Sequence, residues 1–126
     1  MGFKTRAQAI TIEIDDKEYK IDASSNDFIE VMIDAGKFMQ NELGKLDEVE
    51  KLDDRSKLVR EGIEKLVGKE NAKAIFKDRP LDIVTEIEMI MYIYEEISNS
   101  DIYKRFSSAA EKYGIESVIQ PERPKA

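Results

Sequence analysis

The residue pattern predicts an α+β fold, predominantly helical, with an N-terminal β-hairpin packed on about four α-helices. Residues Ala9 to Asp22 alternate apolar and polar side chains with the period of a half-buried strand, whereas from Phe28 onward apolar residues recur three and four apart. Clusters of Ser, Asn and Asp precede the helical stretches and single glycines follow them, marking starts and stops.

In the hairpin, predicted over 9–22, Ile10, Ile12 and Ile14 alternate with Thr11, Glu13 and Asp15, and Tyr19 and Ile21 alternate with Glu18, Lys20 and Asp22. Asp15-Asp16-Lys17 is the expected turn. A two-stranded hairpin is marginal in water, so its isoleucine face must lie on helices or its edge must pair with another chain.

Ser24-Ser25-Asn26-Asp27 supplies capping groups, and Asp27 with Glu30 has capping-box spacing for a helix over about 27–43. Phe28, Val31, Met32, Ala35, Phe38 and Met39 give its apolar face, and Gly44 its stop. Leu46, Val49, Leu52, Leu58, Val59, Ile63, Leu66 and Val67 carry the period through 46–67, as one helix or two broken near Asp53-Asp54, ending at Gly68. Lys57–Glu61 and Glu61–Lys65 have the spacing of surface ion pairs.

Asn71 to Phe76 reads as a helical turn or two. A helix over 80–97 follows, with Asp78 or Arg79 as cap and Pro80 in its first turn. Ile83, Ile87, Ile90, Tyr94 and Ile97 form its stripe, Asp82, Glu86, Glu88, Glu95 and Glu96 its acidic face. Met89 to Tyr94 is apolar all round, which places this helix at the centre of the domain or under a partner. Ser98-Asn99-Ser100-Asp101 caps a helix over 100–113 carrying Ile102, Tyr103, Phe106, Ala109, Ala110 and Tyr113, ended by Gly114. Residues 1–114 are expected as a single domain and 115–126, with Pro121 and Pro124, as a mobile C-terminal tail.

Composition narrows the chemistry. The 126 residues contain no His and no Cys, and 37% are charged. The usual proton carrier near neutral pH, the softest nucleophile and the two commonest transition-metal ligands are therefore missing. The net charge is −7, and the densest basic groups, Lys57 with Arg60 and Lys104 with Arg105, are interleaved with acids, which argues against nucleic acid. No apolar run approaches the ~20 residues of a membrane span. MGFKTRAQAI lacks a signal peptide's apolar run, and Arg6 stands where myristoylation wants Ser or Thr, so the expected location is the cytoplasm.

Each candidate chemistry has a simpler reading. Asp47, Glu48, Glu50, Asp53 and Asp54 lack the alternating ligands and central Gly of a calcium loop and read as a solvated face; no metal is expected. Glu95 and Glu96 are adjacent on a helix and diverge by about 100 degrees, which does not suit acid–base work on one substrate. Ser107-Ser108 has no His to activate it, and the six glycines form no phosphate loop. No enzyme activity and no cofactor are expected. A protein partner is, and Met89, Tyr92 and Ile93, which fall off the main stripe, are the residues assigned to it.

The stretch Ala74 to Ile97, AIFKDRPLDIVTEIEMIMYIYEEI, follows a hairpin, a capped helix and a charged middle and precedes a Pro-containing end. This layout resembles the small acidic tail assembly chaperones of long-tailed phages and prophages of Gram-positive bacteria. Where that family commonly has Gly in the turn after the Phe, this chain has Lys77-Asp78-Arg79. The resemblance implies a non-enzymatic role: coating the tape measure protein before the tail tube forms, in the bacterial cytoplasm, with self-association possible. Two other readings stay open, a small acidic regulatory or adaptor protein holding one globular partner, and a minor phage structural protein.

Overall fold

The computed structural model describes residues 2–4 and 8–113. Gly114 and the predicted tail 115–126 lie outside the described residues. Strands β1 (Ala9–Ile14) and β2 (Lys17–Asp22) are followed by α1 (Asn26–Asn41), a 3-10 stretch (Leu43–Glu48), α2 (Leu52–Val67), α3 (Lys69–Phe76), α4 (Ile83–Ser98) and α5 (Asp101–Tyr113). The α+β, mostly helical class is as predicted. There are five α-helices among the described residues, because the turn or two expected after Asn71 is a helix of its own.

The strands pair antiparallel, with Ile10 opposite Ile21, Ile12 opposite Tyr19 and Ile14 opposite Lys17. Ile10, Ile12, Ile14 and Ile21 are buried, so the alternation read from the sequence is the core-facing side of the hairpin. The turn is Asp15-Asp16 alone, both with positive φ (51° and 66°), the twist that suits a two-residue hairpin. Both outer edges carry a clasp from a helix. Tyr92 Oη of α4 accepts from the Glu13 amide of β1 at 3.2 Å, and Asn71 Nδ2 of α3 donates to the Lys20 carbonyl of β2 at 2.8 Å. Unpaired strand edges invite other chains, and these contacts cover part of each.

Helix α1 begins at Asn26, one residue before the expected capping-box aspartate. Ser25 is the cap, and its hydroxyl accepts from the Asp27 amide at 3.2 Å. The helix ends at Asn41, and Gly44 lies within the 3-10 stretch instead of terminating it. The break before α2 falls at 49–51, ahead of Asp53-Asp54. Arg55 folds back there, its Nε donating to the Val49 carbonyl at 2.5 Å and its guanidinium to the Asp47 carbonyl at 3.2 Å. Those carbonyls would feed a continuous helix, and such a helix would also set Glu50 against Asp53 and Asp54. Lys65 does not pair with Glu61; it crosses to Asp34 of α1 at 3.0 Å.

Gly68 closes α2 as predicted and opens α3 at φ 91°, ψ 160°, a conformation essentially confined to glycine. Gly62 serves a different end. A Cβ there would stand 3.0 Å from the Ile90 Cδ1 of α4, so its absence lets the two helices approach. The buried set runs without interruption from the hairpin through Phe28, Met32 and Ala35, Val59, Ile63 and Leu66, Ala72 and Ile75, to Ile90, Ile93 and Ile97. Helix α2 is the hub, packed on α1, α3 and α4. Helix α4, expected at the centre, packs on α2, α5 and β1 and keeps one side open. Half-buried Ile102, Tyr103 and Phe106 dock α5 on this core.

Candidate functional site

Helix α4 starts at Ile83, later than predicted, and Pro80 stands outside it. The reason is Arg60. Its guanidinium donates to the carbonyls of Arg79 (3.2 Å) and Pro80 (2.7 Å), the groups that would otherwise begin the helical ladder. Asp82 is the cap in place of Asp78 or Arg79, accepting from the Thr85 amide at 3.3 Å and the Thr85 hydroxyl at 2.7 Å. These two donors, the hydroxyl foremost, hold its carboxyl below the usual carboxylate range. Ser24, by its hydroxyl and then its amide, does the same for Asp22.

The same arginine pairs with Glu86. Arg60 Nε lies 2.5 Å from Glu86 Oε2, which also accepts from the Asp82 amide at 3.2 Å, and the guanidinium sits 4.4 Å from the centre of the Phe76 ring. Glu86, expected on the acidic outer face, is 2% exposed. Its Oε1 is buried without a hydrogen bond among the described residues. A cavity of about 140 Å³ adjoins the pair, walled by Phe76, Pro80, Thr85 and Met89. A larger cleft, about 640 Å³, opens along α2 and α3, where Lys57, Lys69 and Lys73 alternate with Glu61, Glu64 and Glu70. With its charges so nearly balanced, it selects for no particular ligand charge.

Burial sets the phase of α4. Glu86, Met89, Ile90, Ile93 and Ile97 face inward, and Ile83, Ile87 and Tyr94 are half-buried beside them. Met89 and Ile93, assigned from sequence to a partner surface, are therefore core residues, at 8% and 0% exposed. Their place off the isoleucine stripe reflects a stripe read slightly out of phase. Tyr92, the remaining member, lies at the rim, its ring partly exposed and its hydroxyl on β1.

The side chains that do face outward are Leu81, just before the helix, and Val84, Thr85, Glu88, Met91 and Glu95 along it. Val84 and Met91 are each 65% exposed. Their spacing of seven, with Glu88 between, places them on one line, and no Lys or Arg occurs from Leu81 to Asn99. Val84 and Met91 were not picked out from the sequence. Their spacing was visible there, but in a helix apolar all round it could not be told from core.

The other candidates stay apart. Among the described residues no group of acidic side chains converges as a metal site. Arg60 is turned inward to Glu86, and Arg105 pairs with Asp101 at 3.1 Å. No helix of the described residues is long and apolar enough to cross a membrane. No family model, no curated protein and no solved structure matches this chain.

Proposed function

We propose that the chain is a non-enzymatic assembly chaperone of the kind that long-tailed phages and prophages use on the tape measure protein, acting in the cytoplasm of the bacterial host. The observation that carries this reading is the outward line of Val84 and Met91 on a helix with no basic residue. Apolar side chains at helical spacing suit a helical client. The net charge of −7 supports the same role, since it keeps a complex of many copies dissolved.

The test is to tag the chain, induce the prophage or co-infect, isolate what it binds, and count copies. Many copies on one long helical protein are expected, and Val84→Glu with Met91→Glu should remove them while the helical circular dichroism is kept. One globular partner at equal stoichiometry would replace this reading by a regulatory adaptor. Recovery of the chain in purified particles would replace it by a structural component.

A further inference from the structure

We infer that the outer face of α4 takes a basic amphipathic helix, whose apolar side chains cover Val84 and Met91 and whose lysines or arginines meet Glu88 and Glu95. This rests on the reading of α4 as the partner surface and adds the chemistry of the partner.

The geometry is a single line. Val84, Glu88, Met91 and Glu95 follow at spacings of four, three and four, the rhythm of one helix face, and from Val84 to Glu95 the line runs roughly 16 Å at helical rise. Apolar and acidic side chains alternate along it, with no base of α4 to neutralise either carboxylate. The Tyr92 hydroxyl brings the Glu13 amide of β1 to the rim, and Glu13 is exposed there. The acids of α4 and its cap that do have partners, Glu86 with Arg60 and Asp82 with Thr85, are not on this line.

Charge decides the occupant. A second copy of the chain fits poorly in either direction. Set parallel about a two-fold axis, it would place Glu88 on Glu88 and Glu95 on Glu95; set antiparallel, it would place Glu88 on Met91 and Glu95 on Val84. Neither supplies a base, and covering an unpaired carboxylate is unfavourable. An anionic membrane surface or a nucleic acid would be repelled. A helix with a leucine line flanked by lysines satisfies both the apolar and the acidic positions at once.

The test uses the full chain and two synthetic helical peptides long enough to span the line. They have leucines at the same positions, one flanked by lysines and the other by glutamates, and binding is read by fluorescence anisotropy. The lysine peptide should bind at least about tenfold more tightly. Glu88→Lys with Glu95→Lys should reverse the order, and Val84→Ser with Met91→Ser should weaken both peptides. All four positions are exposed, and circular dichroism checks that each variant is folded. Equal binding of the two peptides, or an order unchanged by the charge reversal, would overturn the chemistry. Binding indifferent to the serine variant would overturn the location. A dimer in sedimentation that the serine variant disperses would make a second copy the occupant. The copy number recovered from the cell is a separate readout, so the chaperone reading can fail while the peptide preference stands.

Discussion

Glu86 buries a carboxylate against Arg60. The arginine is not interchangeable with an apolar residue of similar length, because its guanidinium also holds the Arg79 and Pro80 carbonyls and lies on Phe76. Arg60→Met should destabilise the chain by about 3 kcal/mol in urea unfolding, since it strands an uncompensated buried charge. Glu86→Met should cost less, because Arg60 is 19% exposed and its head can turn to water. The double replacement should recover much of the loss. This residue also explains where the sequence misled. The spacing of Ile83, Ile87, Ile90, Tyr94 and Ile97 leaves Glu86 on the solvent side with Glu88 and Glu95, whereas the buried face runs through Glu86, Met89, Ile90, Ile93 and Ile97. Nothing in the chain marks which glutamate meets an arginine held twenty-six positions earlier. Because Met89 and Ile93 depended on that phase, the candidate site was legible as a helix but not as a face.

At the scale of elements, the local signals were enough where the backbone itself sets the boundary. The strand alternation, the stop at Gly68 and the start of α5 at Asp101 were legible because each depends on near neighbours. The ends of α1 shifted by a residue or two, its start set by the Ser25 cap, and two further boundaries are set by arginines of other turns: Arg55 reaching back to Val49 before α2, and Arg60 holding the chain ahead of α4. The joint between α2 and α3 is the most demanding of the local ones. At φ 91° and ψ 160°, Gly68 occupies backbone space that a Cβ disfavours, although no atom crowds the position. Gly68→Ala should therefore cost about 2 kcal/mol through conformation alone, read as a lowered denaturation midpoint with an unchanged slope. The carbonyl of Gly68, which accepts from the Ala72 amide at 3.0 Å, keeps α3 attached to this bend.

At the scale of the molecule, the hairpin is more than a cover for the helices. Arg79 joins Asp15 at the hairpin turn to the Ile75 carbonyl at the end of α3, Asn71 joins Lys20 of β2 to the Val67 carbonyl of α2, and Tyr92 joins β1 to α4. A strand pair of this size, marginal alone, is thus fastened at its turn and on both edges. The consequence concerns time more than shape. The amide protons of Ile12 and Tyr19 should exchange with deuterium only in the openings that also release those of Ile63 and Ile93, as members of one cooperative unit. Arg79→Met should split that unit, letting the strand protons leave first while those of α2 keep their pace. In the intact chain, the β1 edge beside α4 would then be uncovered only as rarely as the core itself.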